Sequence, residues 1–171
     1  MNIEHRAITE LRAAGRKLEG YAARFNVEAR IGTFTEIIRA GAFAASLRSG
    51  KDILALVDHD AKRVLARTRS GNLRLTEDSQ GLEFEISVPD TTFGADVLEL
   101  AERGDLGGMS FGFVVPKDGE RWTGQRRELV QVDLREISVV SAWPAYEGTT
   151  VNPRSKTPRL NVANYYLETI R

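Results

Sequence analysis

Strict two-residue alternation in one segment most constrains what this chain can fold into. Within residues 81–88, apolar side chains occupy every second position: Leu82, Phe84, Ile86 and Val88 alternate with Glu83, Glu85 and Ser87. Successive side chains of a β-strand point to opposite faces, so this pattern is typical of a strand with one buried and one exposed face. Such a strand is stable only beside partner strands, and the core is therefore predicted to be built around β-sheet.

Several other short segments also have strand character and are separated by glycine, proline or polar residues that favour turns. They are residues 17–25, 34–38, 52–57, 64–68, 72–76, 109–115 and 129–140. The turn-forming Ser70-Gly71 predicts that 64–68 and 72–76 pair as a hairpin. The polar, glycine-containing segment 117–128 is predicted to be a hairpin loop or flap, and 129–140 one long, bent strand region.

Two segments have helical rather than strand periodicity. Residues 41–47 are alanine-rich and place Phe43 and Leu47 four positions apart, which favours a short helix. Apolar residues recur at helical spacing over 93–101, between a predicted N-terminal cap within 90–92 and a C-terminal stop at Gly104. About seven strands and two helices predict a mainly β protein, a compact β-barrel with two or more helices packed around it.

Composition disfavours several functional classes. The 171 residues include 24 basic and 24 acidic side chains, so no excess of positive charge supports nucleic-acid binding. The chain has no cysteine, which removes thiolate metal sites, cysteine nucleophiles and disulfides, and its two histidines disfavour a multi-histidine zinc site. The first residues lack the apolar run of a signal peptide, and no segment approaches the ~20 apolar residues of a membrane span.

His59 lies where an apolar strand ends in polar residues, in Val57-Asp58-His59-Asp60. Imidazole exchanges protons near neutral pH, so a catalytic base is one interpretation, and a histidine that only caps or lines a loop is the other. A metal site made of His59 and its two aspartate neighbours is disfavoured, because neighbouring side chains on a strand point to opposite faces.

Ser110 lies in Gly108-Met109-Ser110-Phe111-Gly112, which matches the G-x-S-x-G pattern around hydrolase nucleophiles. No histidine follows Ser110, so the α/β-hydrolase order, in which the histidine comes after the serine, is excluded. A chymotrypsin-like order, with the histidine first, is not excluded, although the usual Gly-Asp-Ser-Gly surroundings are absent. The alternative is a small residue on a glycine-rich strand that packs closely against a helix.

Glu136 is the third candidate. Strand alternation places it on a largely apolar face and places Arg135 on the opposite face. Burying a carboxylate costs free energy unless it is hydrogen-bonded, and an imidazole N–H would satisfy it. The alternative is an edge-strand glutamate that is exposed to water or paired with a distant arginine.

Six segments of the chain, taken together with their order and spacing, resemble the HK97-type phage prohead proteases. That family is related to the herpesvirus assemblin proteases. The resemblance covers about residues 18–151 and is carried by 39–47, 56–60, 76–82, 107–113, 134–140 and 144–149. It implies a serine endopeptidase that uses His59, Ser110 and a third residue near Glu136. In assemblins the third member of the catalytic triad is a second histidine, whereas this chain has an acid at that position. A carboxylate there both orients the imidazole ring and stabilises its protonated form.

Assemblins follow the third residue with arginines that help to hold the oxyanion, whereas this chain has Trp143-Pro144-Ala145-Tyr146. Oxyanion donors are therefore expected among backbone N–H groups near 144–146 or at the glycine-rich approach to Ser110. The implied mechanism requires no metal and no cofactor. No role is expected for His5, whose replacement by alanine is predicted to be silent.

The resemblance also implies the substrates: the scaffold, or a scaffold-like N-terminal segment of the major capsid protein, and the protease itself. It implies a location inside the assembling procapsid in the host bacterial cytoplasm. A homodimer is one expected state, and the balanced charge and the lack of an apolar span predict no nucleic-acid or membrane partner. Two other functions stay open. One is an inactive, protease-like barrel that serves as a head-assembly or scaffold component, and the other is a non-protease serine esterase.

Residues 1–151 are expected to form the catalytic domain, and residues 152–171 a linker and a short helical tail. The linker, 152–159, carries two prolines, three basic residues and no bulky apolar side chain, so it should be exposed and extended. Such a segment is either a site of self-cleavage or a tether for a docking helix.

Overall fold

The computed structural model describes residues 3–8 and 11–141. Over these residues the chain is mainly β, as predicted, with few helices. The strands are β1 (Glu4–Ile8), β2 (Leu11–Ala14), β3 (Lys17–Arg24), β4 (Glu28–Ile31), β5 (Phe34–Ile38), β6 (Leu54–Val57), β7 (Asp60–Arg67), β8 (Leu73–Glu77), β9 (Gly81–Ser87), β10 (Gly108–Val114), β11 (Glu120–Thr123), β12 (Arg126–Leu129) and β13 (Asp133–Val140). The helices are α1 (Ala44–Arg48) and α2 (Thr92–Arg103).

These strands form three sheets, none of which closes into a barrel. The first sheet has the order β1-β10-β13-β6-β7, the second β11-β12-β5-β4 and the third β2-β3-β9-β8. The prediction of a closed barrel of about seven strands is therefore wrong, because the sheets are open and the strands are more numerous. The alternation pattern indicates which strands have a buried face, but it does not determine which strands lie at the edges of a sheet.

The first sheet is organised around β10 and β13. All seven residues of β10 are buried, as in a strand with neighbours on both sides and covered faces. On one face of β10, Phe111 and Phe113 pack with Phe43 in the hydrophobic core. The opposite face carries Ser110 and Gly112, so the same strand holds the core with one face and presents a candidate nucleophile on the other.

The longer helix begins and ends where its sequence predicts. The Thr91 side chain accepts a hydrogen bond from the Gly94 N–H, at 3.1 Å, and Gly104 follows the last turn with φ 74°. The shorter helix, α1, begins three residues after the predicted start at Gly41. No helix within the described ranges is long and apolar enough to span a membrane.

Two predictions about the strands are wrong, one about a hairpin and one about a single long strand. The strands on either side of Ser70-Gly71 do not pair with each other, because β7 pairs with β6 in the first sheet and β8 pairs with β9 in the third. Residues 129–140 do not form one bent strand, because β12 and β13 belong to different sheets. In the connection between them, the Val132 N–H donates to the Ala42 carbonyl. The 117–128 segment, predicted to be a hairpin loop or flap, contains β11 and most of β12, which pair with each other as an antiparallel hairpin.

A buried ionic cluster joins the edge strand β1 to the second sheet. Arg127 contacts the carboxylates of Glu4, Glu36 and Glu120 at 2.5, 3.0 and 2.6 Å, and Arg6 contacts Glu36 at 2.6 Å. Burial by itself lowers the pKa of Arg127, but the hydrogen bonds that it donates to Glu4 and the charges of the three carboxylates raise it above its ordinary value. Each buried charge in the cluster therefore depends on its partners remaining in place.

Replacement of Arg127 by alanine should destabilise the protein strongly, by about 3–5 kcal/mol, because it leaves Glu36, which is only 2% exposed, without one of its two cationic partners. Arg126, the adjacent residue on the same strand, provides a matched control. Its side chain is 44% exposed and its ion pairs are 3.5 Å and 3.7 Å long, so Arg126→Ala should cost less than about 1 kcal/mol. Urea unfolding of both variants measures the loss in free energy of unfolding. Equal losses in the two variants would contradict the structural role of Arg127.

Candidate active site

His59 occupies a tight turn between β6 and β7. Asp58 and His59 have φ values of 51° and 59°, and Val57 pairs with Asp60, as in a two-residue hairpin with positive φ at both central positions. Positive φ is uncommon for residues other than glycine, and this turn is held from outside. The Asp58 N–H donates to the Val139 carbonyl at 2.8 Å, so the turn is fixed against β13.

The His59 ring lies against Glu136, which is on β13. His59 Nδ1 is 2.8 Å from Glu136 Oε1, and the glutamate is only 7% exposed. The sequence predicted both the inward orientation of Glu136 and an imidazole as its partner. Arg135, the adjacent residue, is exposed, as strand alternation requires.

Ser138 holds the other oxygen of the same carboxylate. Its hydroxyl donates to Glu136 Oε2 at 2.6 Å and accepts from the His59 backbone N–H at 3.2 Å. Ser138 is fully buried, so it links the carboxylate to the His59 turn without contact with solvent. Strand alternation places Ser138 on the same face as Glu136, but no pattern in the sequence indicates this contact.

Hydrogen bonding keeps Glu136 charged despite its burial. Burial by itself raises the pKa of this carboxyl group, but hydrogen bonds from His5, His59 and Ser138 and the charge of His59 outweigh it and lower the pKa to about 2. The group is therefore an anion at neutral pH. An anion at this position orients the ring of His59 and stabilises its protonated form.

His5 also contacts Glu136, contrary to the expectation that it has no role. His5 Nδ1 lies 3.2 Å from the same oxygen that His59 contacts, and the two imidazole rings meet edge to face with centroids 4.1 Å apart. His5 is on β1, which pairs with β10, and 107 positions of sequence (112 − 5) separate His5 from Gly112, its partner in the register. No local sequence signal around His5 indicates this contact.

Gly112 provides the space in which the histidines and the glutamate meet. It lies between His5 and Glu136 in the strand register, since His5 pairs with Gly112 and Gly112 pairs with Glu136. A Cβ atom at this position would lie within 3.0 Å of His5 Cε1, and closer still to Glu136 Oε1. The second glycine of the G-x-S-x-G pattern is therefore required by contact with side chains of both neighbouring strands.

Ser110 lies on the same face of the sheet, one pair of residues further along the strands. It is opposite Ala7 on β1 and opposite Ser138 on β13. Directly opposed residues of an antiparallel pair have Cβ atoms about 4.5–5.5 Å apart, so Ser110 is adjacent to the residue that links His59 to Glu136. Ser110 is 2% exposed, and within the described residues its hydroxyl makes no hydrogen bond to His59.

The structure therefore brings His59, Glu136 and Ser110 onto one face of one sheet. The two aspartates next to His59 have other partners: Asp58 accepts hydrogen bonds from Ser141, and Asp60 accepts one from the Lys62 N–H. Of the predicted oxyanion donors, the Gly107 N–H is bonded to the Val140 carbonyl at 2.8 Å, and 144–146 lie outside the described residues. The predicted linker and tail, 152–171, lie outside them as well.

Comparison with known proteins identifies the family of this chain. The family model of caudovirus prohead serine proteases matches residues 2–161, which is most of the chain. The chain belongs to this family. Searches of curated proteins and of solved structures gave no match. The family is one of serine peptidases of phage capsid maturation, so the predicted class of enzyme is confirmed at that level.

The charge of Glu136 should make the stability of this prohead protease depend on acid pH. Because the pKa of Glu136 is about 2 when folded and 4.5 ordinarily, its contribution is fully present above about pH 4.5 and is lost as the pH falls towards 2. Between about pH 5 and pH 3.5, the free energy of unfolding should fall by about 1 kcal/mol more in the wild-type protein than in Glu136→Gln. Urea unfolding at both pH values measures this difference. An equal fall in the free energy of unfolding of the wild-type protein and of Glu136→Gln would show that Glu136 is not held as an anion.

Proposed function

We propose that this chain is a serine endopeptidase in which Ser110 is the nucleophile, His59 the general base and Glu136 the residue that orients His59. The observation that carries the proposal is the 2.8 Å contact between His59 Nδ1 and the buried Glu136 carboxylate. That contact lies on the sheet face that also holds Ser110, in a chain of a serine protease family. The three residues follow the general pattern of nucleophile, base and orienting acid.

The proposed reaction is acyl transfer in two steps. Ser110 Oγ attacks the carbonyl carbon of the scissile bond while His59 Nε2 takes the hydroxyl proton. When the C–N bond breaks, His59 returns this proton to the leaving amine. Water then attacks the acyl-enzyme by the same route and releases Ser110. Throughout, the bond from His59 Nδ1 to Glu136 keeps Nε2 free to accept the proton and stabilises the imidazolium.

Ser110 and His59 are not hydrogen-bonded to each other in this structure, and this is compatible with their roles as nucleophile and general base. Hydrogen bonds between a nucleophile and its base are often long or absent without substrate, and form in the substrate complex. Ser138 is a weaker candidate for the nucleophile, because its hydroxyl is bonded to Glu136 and to the His59 N–H and it is fully buried. Within residues 3–8 and 11–141, no hydrogen bond of this kind holds the Ser110 hydroxyl.

Membership of this family indicates that the substrates are capsid proteins of the procapsid. We propose the scaffold, or a scaffold-like N-terminal segment of the major capsid protein, and the protease itself, cleaved inside the assembling procapsid in the host bacterial cytoplasm. A homodimer and the absence of nucleic-acid and membrane partners stay predictions, as do the HK97-type grouping and the relation to herpesvirus assemblins. The inactive assembly component and the serine esterase stay alternative functions.

Ser110→Ala should abolish processing of a co-expressed capsid protein, by several orders of magnitude in rate, because no other described group replaces the nucleophile. Intact-mass measurement of the capsid protein and of the protease chain gives both readouts. We expect the wild-type chain to accumulate a form that ends near residue 151, and the Ser110→Ala chain to stay full length. Processing by Ser110→Ala at the wild-type rate would exclude the serine-protease mechanism.

Reaction with a fluorophosphonate probe separates the alternative functions. An activated Ser110 should be labelled, and Ser110→Ala should not be. The Ser138→Ala variant should retain labelling at a reduced rate, because it loses a support of Glu136 rather than the nucleophile. A wild-type chain that is never labelled would favour the assembly component. Labelling and turnover of small esters without capsid cleavage would favour the esterase.

Glu136→Gln should retain partial activity with a shifted pH dependence, because the amide keeps the shape of the side chain but loses the charge that stabilises imidazolium. Asp60→Asn is the matched control. Asp60 directly follows His59, and its carboxylate accepts from the Lys62 N–H rather than from His59. Rates of capsid-protein cleavage across a pH series measure both variants. Full activity in Glu136→Gln together with an inactive Asp60→Asn would show that the third residue is assigned wrongly.

A further inference from the structure

Two histidines and one glutamate from three different strands or turns converge at one point of the sheet. Donor atoms of His5, His59 and Glu136 all lie within 4.8 Å of one another. The chain has only two histidines, and both are in this group. Two imidazoles and one carboxylate are a frequent ligand set of zinc sites that keep a fourth position open.

The distances from the two histidines to the glutamate are close to those around a tetrahedral ion. With bonds of about 2.0–2.1 Å, neighbouring ligand atoms of tetrahedral zinc are about 3.3 Å apart. The two imidazole Nδ1 atoms lie 2.8 Å and 3.2 Å from Glu136 Oε1, so each histidine would have to move away from the carboxylate by only a few tenths of an ångström. The two rings meet edge to face, at 63°, and both Nδ1 atoms contact the same carboxylate oxygen.

We propose that His5, His59 and Glu136 bind one zinc-class divalent cation, and that this ion holds the peptidase inactive. The ion would replace the hydrogen bonds that both histidines now make to Glu136 Oε1. Hard cations such as Mg²⁺ prefer oxygen ligands and should not compete, because two of the three donors are imidazole nitrogens. The mechanism still requires no metal, as the sequence-based expectation states. The proposal does depart from the expectation that two histidines disfavour a zinc site, because the fold brings both of them to one carboxylate.

The surroundings hold the three ligands in place. Ser138 fixes the other oxygen of Glu136, and His5 is on a strand whose opposite face is bound through Arg6 to Glu36. Such outer contacts orient ligands and strengthen metal binding. The side chains of His5 and His59 are 43% and 29% exposed, so an ion can reach the nitrogens from solvent.

The inhibitory effect follows from which nitrogen binds the ion. A neutral imidazole with a metal on Nδ1 carries its proton on Nε2. In the proposed mechanism His59 Nε2 must accept the Ser110 proton, so an ion on Nδ1 removes the general base. This consequence depends on the proposed peptidase function, whereas the binding of the ion does not.

Zinc binding is tested by calorimetry on the full Ser110→Ala chain without a polyhistidine tag. We expect one Zn²⁺ per chain, no binding of Mg²⁺, and an affinity at least tenfold weaker in His5→Gln and in Glu136→Gln, each made in the Ser110→Ala background. Asp96→Asn, a change of an exposed acid on α2, is the control and should leave the affinity unchanged. Equal affinity in every variant, or no binding of Zn²⁺, would overturn the site.

A second measurement needs no substitution of a ligand. Because the chain has two histidines, its imidazole nitrogen NMR spectrum contains signals from these two rings alone. Added Zn²⁺ should shift the Nδ1 signals of both rings, with no change on addition of Mg²⁺. A shift confined to one ring, or to Nε2 atoms, would contradict the proposed ligand set even if a variant fails to fold.

Inhibition is measured on the wild-type chain by the rate of fluorophosphonate labelling. Zn²⁺ should slow labelling at least tenfold, a chelator should restore it, and Mg²⁺ should have no effect. A chain that binds Zn²⁺ through both histidines but is never labelled in zinc-free buffer would contradict the peptidase function and leave the metal site standing. A chain that is labelled equally with and without Zn²⁺ would contradict inhibition by the ion.

Discussion

The buried carboxylate of Glu136 is the constraint on which the arrangement of the first sheet depends. A charge removed from water costs several kcal/mol unless hydrogen bonds replace its hydration. Here the donors come from His59 in the turn after β6, from His5 on β1 and from Ser138 on β13 itself. The carboxylate has all three donors only when these strands lie side by side in the observed order, so the site depends on the strand order of the first sheet.

Strand β1 connects this site to the rest of the molecule because its two faces make different contacts. His5 reaches Glu136 on one face, while Glu4 and Arg6 join the buried cluster around Arg127 on the other. The cluster reaches into the second sheet through Glu36 on β5. An edge strand is ordinarily the least constrained element of a sheet, but this one is fixed by ionic contacts on one face and by the candidate active site on the other.

Strand periodicity predicted those parts of the site that depend on one strand alone. It placed Glu136 facing inward and Arg135 outward, and the cost of burying a carboxylate then predicted an imidazole partner. Order along the chain excluded an α/β-hydrolase arrangement around Ser110. The failures concern contacts between strands: the hairpin across Ser70-Gly71 does not form, and His5 lies within the site rather than outside it. Turn-forming residues favour a reversal of the chain, but they do not decide which sheet each strand joins.

By itself, therefore, the sequence determined the mainly β class, the capped helix α2 and the inward face of each major strand, because these follow from the alternation and local hydrogen bonding of neighbouring residues. Only the tertiary structure decided that the sheets stay open and that β1 lies beside β10. It also decided that the side chain missing at Gly112 leaves room for two histidines at one carboxylate. These features depend on residues more than a hundred positions apart in the chain, and no local pattern encodes how such residues satisfy a shared buried charge.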